Sequence, residues 1–412
     1  MNWPAFYTMV AKSKDKYSFY DGNFSYDDFD NAKMSGRFKS RVGWARRAVD
    51  MRANKTHFDK FENDTIGLND IFDEYYVRDA LDMITDDILV CGVGFLALAN
   101  DRVMPFTAME ATGTYNWREK NLKSGVAVYR ENTKKNFNTQ MPDSYVKYQR
   151  YQTISYKSGE IEATPNPTGR PLMGILTHRA TTRQPFGRSV ISSAAREAVI
   201  SASRTTRQME IAGFHYNSKV NVILGVDSDT PVNKVEMKTG DALTIGTNEN
   251  GQMPAIGEFA QHAMAPFNDE ILTFGKNFCA ATTLDLANIN LSTSAPQSSK
   301  ASDVVSDELA DDIEKWQREM GGQLKYFTVT LWMLKNNVTE IDENLRAKIN
   351  AISPVWKPIL RVDIAKVGDG INKVAQLEPA VLQARSIWRN LGFSSDEIDK
   401  IIANATDSAQ NL

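Results

Sequence analysis

The sequence predicts an α+β protein, and three observations carry that prediction. Short alternating segments crowd the first 170 residues, helical apolar stripes dominate after Ser189, and a short strand-rich stretch lies between two of those helices. The chain has 412 residues, 42% of them hydrophobic, and a mean hydropathy of −0.40. That length can bury a sizeable core or more than one.

Between Leu68 and Thr85, Ile71, Tyr75, Val77, Leu81 and Ile84 recur at helical spacing. Ser124–Glu131 and Tyr145–Lys157 alternate and are rich in Val, Ile and Tyr, as strands are. Pro165, Asn166, Pro167, Gly169 and Pro171 then form a turn cluster. From Ser189 to about His215 an apolar stripe of Ile191, Ala195, Ala198, Ala202, Met209 and Ile211 predicts a long helix, with Ser189 as its N-cap. Val220–Leu224 and Ala242–Gly246 read as short strands separated by turn signals. A second helix is predicted from Pro266 to about Ala281, since proline is tolerated in a first turn. Leu286–Lys300 turns abruptly to Asn, Ser, Thr and Gln and reads as a loop. A third helix follows from Ser302 to about Lys335, and Gly321 and Gly322 within it predict a kink. Two short helices, about Glu378–Arg389 and Ser395–Ala403, end the chain.

Composition narrows function. A net charge of −3 and a pI near 5.9 argue against a protein that clamps duplex DNA through many phosphates, though not against one that DNA slides past. The longest apolar run, Ile88–Ala99, is shorter than the roughly 20 residues a membrane span needs, and the first residues do not read as a secretory signal. No membrane partner is expected. Cys91 and Cys279 sit far apart in apolar surroundings and support no disulfide framework.

Motifs of covalent chemistry are missing. His57, His178, His215 and His262 have no metal-ligand spacing, Gly92-Val93-Gly94 has Ala97 where a dinucleotide fingerprint needs its third glycine, and Gly275–Lys276 lacks the rest of a P-loop. The glycine pair reads instead as a close-packed buried strand. Asp86–Asp87 and Asp311–Asp312 read as solvated surface, because adjacent helix residues do not share a face. No catalytic residue, metal or cofactor is expected.

Two charge patterns remain. Arg196, Arg204 and Arg207 fall within about 80° of one another on the first long helix. The third helix opens on Asp303, Asp307, Glu308, Asp311, Asp312, Glu314 and Glu319. Each is either a wet face or half of a contact between neighbouring copies, where complementary charge sets register. The polar loop is either a connector or a surface for a passing polymer: Asn288, Asn290, Ser292, Thr293, Ser294, Gln297, Ser298 and Ser299 offer weak neutral hydrogen bonds, and Lys300 the one cation.

The segment Arg183-Gln-Pro-Phe-Gly-Arg-Ser-Val-Ile, the arginine-bearing helix to Met209-Glu-Ile-Ala-Gly-Phe, and Val220-Asn-Val-Ile-Leu-Gly resemble the portal proteins of long-tailed phages. Gly251-Gln-Met-Pro-Ala-Ile-Gly-Glu-Phe, a helix over Ala263–Phe278, and Ser298-Ser-Lys-Ala-Ser-Asp before an acidic helix follow in that family's order. The resemblance is strongest over Pro185–Leu334. It implies a portal fold: a wing at 1–188 and 300–366, stem helices at 189–215 and 263–285, a β-rich clip at 216–262, a tunnel loop at 286–299, and a short helical crown at 367–412. The long wing helix would be kinked at Gly321–Gly322.

The same resemblance implies a non-enzymatic homo-oligomeric ring, typically a dodecamer, at the portal vertex of a virion assembled in the host cytoplasm. Viral double-stranded DNA would pass without sequence recognition. A terminase motor, capsid and scaffolding proteins and a head-completion adaptor would dock on it. Asn288–Lys300 would face DNA, and Arg196, Arg204, Arg207, Asp303, Asp307 and Asp311 would assemble the ring. Three alternatives stand beside it: another head–tail connector ring, a DNA-processing enzyme with an unrecognised metal site, and a sequence-specific DNA-binding module.

Overall fold

The computed structural model describes residues 3–26, 40–129, 142, 144–157, 159–216, 221–224, 255–258, 263–291, 307–359, 384–390, 393 and 397–402. It divides into a larger unit (1–25, 43–199 and 276–412) and a smaller one (26–42 and 200–275).

In the larger unit, helix α1 (Trp3–Tyr20) presents Phe6, Val10, Ser13 and Tyr17 at i, i+4, i+7 and i+11. Phe6 and Val10 pack on Val126, Val128 and Tyr145 of a five-stranded antiparallel meander, β4-β5-β6-β7-β8. Its strands are β4 (Ala111–Asn116), β5 (Asn121–Val128), β6 (Ser144–Tyr148), β7 (Gln152–Lys157) and β8 (Glu160–Pro165). The stretch expected at Tyr145–Lys157 is thus the hairpin β6–β7, folded at Gln149–Tyr151.

A second sheet, β3-β2-β9, is formed by β2 (Val93–Ala99), β3 (Arg102–Thr107) and β9 (Met173–Thr177). Helix α4 (Val77–Cys91) covers it, following α2 (Trp44–Ala53) and α3 (Leu68–Glu74). The helix expected over Leu68–Thr85 is therefore two, broken at Tyr76, whose φ of 56° is left-handed. The apolar run Ile88–Ala99 ends α4 and forms the whole of β2, with Gly92 as the left-handed C-cap at φ 88°. A Cβ on Gly94 would meet Ile84 and Ile88 of α4 at 2.7 Å, so this glycine is needed for helix and strand to touch, as a close-packed strand requires.

Helix α5 (Ser193–Tyr216) begins four residues after the expected Ser189, and α6 spans Ala265–Thr282. Ser192 Oγ accepts the Ala195 N–H, as a cap residue does, whereas Ser189 Oγ donates to the Val90 carbonyl. Between these helices in the chain, β10 (Asn221–Leu224) and β11 (Ala255–Glu258) pair antiparallel. The strand expected at Ala242–Gly246 lies outside the described residues.

Helix α7 (Asp307–Lys335) is one 29-residue span that continues through Gly321 and Gly322. After it come α8 (Glu343–Ala351), β12 (Ser353–Trp356), which pairs with β1 (Phe58–Glu62), and α9 (Arg385–Asn390). A helical turn covers 397–402. The structure gives Gly321 a packing role: its Cβ would stand 2.7 Å from Pro354 Cγ on β12. A Cβ on exposed Gly322 would touch nothing within 4 Å. Opposite signs are expected from thermal unfolding. Gly322→Ala should stabilise by about 1 kcal/mol through helix propensity, whereas Gly321→Ala should destabilise by about 1–3 kcal/mol through overpacking.

Candidate functional site

The residues expected to face DNA begin where α6 ends. Leu286–Ile289 forms a 3-10 turn with Ile289 buried, so the expected loop is structured over its first four residues. Within it, the Asn288 carbonyl accepts from Arg47 Nε at 3.0 Å. Asn290 closes the turn at φ 60°, a left-handed value asparagine tolerates. Ser292, Thr293, Ser294, Gln297, Ser298, Ser299 and Lys300 lie outside the described residues, as does Asp303.

The arginine stripe is not a simple wet face. Arg196 bonds Asp15 and places its guanidinium 5.7 Å from the Phe19 ring, so it ties α5 to α1 within one chain. In the smaller unit, Arg204 is half-buried and Arg207 is 5% exposed. Of the acidic candidates, Asp311 is exposed on α7, while Asp307 starts the helix.

Asp312 corrects the expectation of a solvated acidic pair. Its side chain is 8% exposed and lies between two arginines: Arg52 Nε at 3.2 Å and Arg179 Nη2 at 2.5 Å. Arg52, on α2, is 2% exposed and also donates to the carbonyls of Ala48 and Thr282. One buried guanidinium thus joins α2, α6 and α7 through charge-assisted bonds. Burial alone would raise the Asp312 pKa, but Arg52 and Arg179 outweigh it and hold the carboxyl below its usual range.

Asp312 is the first of four residues at helical spacing on α7, and the other three grip the end of β9 while Asp312 holds Arg179 just beyond it. Trp316 Nε1 donates to the Thr177 carbonyl at 3.1 Å. Glu319 accepts from Thr177 Oγ1 and the Ala180 N–H, and Gln323 exchanges bonds with Thr177. The expected acidic face of α7 is therefore divided: Asp312 and Glu319 point inward, while Asp311 and Glu314 face solvent. Spacing along the chain could not separate them, because partners such as Arg52 are remote in sequence. Asp86 is exposed, whereas Asp87 accepts from Tyr17 Oη.

His178 is buried beside this network. Its Nδ1 hydrogen-bonds the Arg188 carbonyl at 2.8 Å, and Nε2 has no hydrogen-bond partner among the described residues. Nδ1 must therefore carry the proton of the neutral ring. Burial is the main cause that lowers its pKa from 6.5 to about 4, ahead of the opposing Arg188 carbonyl and Asp312. As pH falls from about 6.5 to about 4, the unfolded chain binds a proton that the folded chain refuses. Stability should accordingly drop by on the order of 3 kcal/mol across that window. Melting curves at pH 7 and pH 4.5 should show the loss, and a His178→Gln variant should show less of it.

Two clefts open around the β4–β5 turn. One, of about 690 Å³, is walled by Tyr115, Trp117, Pro185, Tyr326 and the Gly322 turn of α7. The other, of about 500 Å³, is lined by Lys123, Gln149, Arg150, Tyr151 and Gln152. Among the described residues, no three His, Cys, Asp or Glu side chains are grouped to hold a metal ion. Also among them, no helix is long and apolar enough to cross a membrane. Cys91 and Cys279 are buried free thiols.

The chain matches no protein-family profile and no curated protein sequence. Among solved structures it is similar to a component of the neck of a native gene transfer agent particle with C12 symmetry. That likeness has 12% identity and a TM-score of 0.45, covering 87% of this chain and 89% of the other. It is also similar to a component of the virion of a native gene transfer agent particle, at 10% identity and a TM-score of 0.42, covering 90% and 94%. Neither likeness assigns this chain to a family.

Proposed function

We propose that this chain is a portal protein, a non-enzymatic subunit of a ring at the capsid vertex of a phage-like virion. In this reading viral DNA passes through the ring, and terminase and head-completion proteins dock on it. The observation that carries the proposal is an order of elements. A long helix, α5, leads to the β10–β11 pair, a second long helix, α6, returns, and a polar segment then precedes the 29-residue α7. That is the stem, clip, stem, tunnel-loop and wing-helix order of the phage family whose sequence landmarks the chain resembles.

A ring made by heterologous contacts repeats one interface around its axis. Arg196 is engaged within its own chain, so the side chain best placed to probe that interface is exposed Asp311. The mass of the purified full-length protein, with negative-stain imaging, tests the proposal directly. A closed ring of about a dozen copies with a central hole is expected from the family resemblance and from closure of a repeated interface. A stable monomer or dimer under assembly conditions would overturn it. Asp311→Lys should shift the mass toward free subunits while leaving the melting temperature of the monomer unchanged. Shortening Asn288–Ser298 should leave rings intact but impair DNA filling.

A further inference from the structure

The chain as a whole is acidic, yet one end of its five-stranded sheet is not. The β4–β5 turn carries Arg118 and Lys120, Lys123 is the third residue of β5, and the β6–β7 turn presents Arg150. Arg170 lies in the turn that leads to β9. Among the described residues, none of these cations has a carboxylate within salt-bridge distance. The acid that lines the Lys123–Arg150 cleft, Glu119, is already hydrogen-bonded by Tyr326 Oη at 2.7 Å.

Two of these cations, Arg150 and Arg170, are held in place by contacts of their guanidinium groups. Arg150 donates Nε to the Gly169 carbonyl at 2.8 Å and lies 5.5 Å from the Tyr151 ring centre. Arg170 stacks 4.4 Å from the centre of Tyr326. One aromatic ring in the Lys123–Arg150 cleft, Tyr151, is 66% exposed, and Trp117, 56% exposed, lines the neighbouring cleft across the β4–β5 turn. Gln149 and Gln152 line the same cleft as Tyr151 and offer neutral amides.

Cations in excess of the one carboxylate among the described residues of the cleft, Glu119, repel one another, and large exposed rings contribute little to folding, so this surface has the makings of a binding site. Positive charge that tracks a backbone, interleaved with flat rings, suits a nucleic-acid strand. We infer that the cleft between the β4–β5 and β6–β7 turns binds the phosphodiester backbone of nucleic acid, with Lys123 and Arg150 on the phosphates. Tyr151 would lie against a sugar or base there, and Trp117 would meet the strand where it crosses the β4–β5 turn into the neighbouring cleft. None of these residues belongs to the segment proposed to line a channel, and the binding test does not require a ring to form.

Both duplex and single strand present this backbone, and only a single strand exposes base faces for stacking. The test uses the full chain with fluorescein-labelled 20-mers of each form, read by anisotropy across a salt series. Lys123→Glu/Arg150→Glu should weaken binding about tenfold at low salt and flatten the salt dependence by about 0.7–0.9 for every phosphate that the variant no longer neutralises. Unchanged affinity and slope in that variant, with an unchanged melting temperature, would overturn the inference. So would displacement of the oligonucleotide by polyglutamate at equal charge concentration, which would mark an acidic protein as the ligand. Trp117→Ala/Tyr151→Ala separates the sources: a loss confined to the single strand assigns base stacking, and an equal loss on both forms assigns the shared backbone. No loss on either form would remove the rings from the site. Ring mass is measured on the same variants, so failure here is distinguishable from failure of the ring proposal.

Discussion

Replacing Asp312 by alanine is expected to cost about 3–5 kcal/mol of stability, because it leaves the Arg52 guanidinium buried without a counter-charge. Arg52 is 2% exposed and cannot swing into water to recover hydration. Its bonds to the Ala48 and Thr282 carbonyls satisfy hydrogens but supply no full negative charge. Arg179, at 43% exposed, can be resolvated and should lose little. Urea unfolding of Asp312→Ala and of Arg52→Met/Asp312→Leu separates the terms. The double variant should recover a large part of the loss, since replacing both charges removes the desolvation penalty. A single-variant loss below about 1 kcal/mol would show that the pair does not carry the packing of α2, α6 and α7.

Gly187→Ala should be at least as damaging, for a reason of space rather than charge. Gly187 has a φ of 70°, and a Cβ there would stand 2.2 Å from the Gly92 carbonyl oxygen and 2.7 Å from that of His178. Both obstacles are backbone. The same Gly92 carbonyl accepts the His178 N–H at 2.9 Å, and the Arg188 N–H bonds the His178 carbonyl at 2.7 Å. No rotamer change relieves the clash, so the 178–190 segment must leave the end of α4. A loss on the order of 3 kcal/mol or more is expected. Gly159→Ala is the control, with φ 96° and nothing within 4 Å of its Cβ. It should cost only about 1–2 kcal/mol, the penalty of the left-handed backbone itself. Equal melting temperatures for the two variants would refute the role given to the close approach of Gly92 and Gly187.

Gly187 lies in Arg183-Gln-Pro-Phe-Gly-Arg-Ser-Val-Ile, one of the landmarks that carried the phage-family resemblance. The structure gives that landmark a local physical cause. Its glycine lets two backbone segments cross, and Ser189 fastens the segment to Val90. What reads as a sequence signature is here a packing constraint at the junction of α4, β9 and α5.

Local pattern determined much of this protein. Alternation placed β5, β6 and β7, the 3.6-residue period located α5, α6 and α7, and the split glycine run at Gly92–Gly94 marked close packing. These features depend on neighbours in the chain, and periodicity reports them. Helix α1 escaped because Lys12, Lys14, Asp15 and Lys16 dilute a stripe that only a facing sheet makes apolar. The break at Tyr76 escaped because a left-handed non-glycine residue has no compositional mark.

Tertiary structure alone decided which charges stayed on the open surface and which became internal fasteners. Asp311 and Asp312 are adjacent and chemically identical, yet one faces water and the other neutralises Arg52, 260 residues away. Arg196 also pairs with Asp15, 181 residues away in the chain, a contact that its helical spacing does not announce. The sheet-end cations show the converse, scattered from Arg118 to Arg170 and gathered only by strand pairing. A charge's role depends on its partner and on whether water can reach it. Both are set by contacts between residues far apart in the chain, which the period of a helix or strand does not encode.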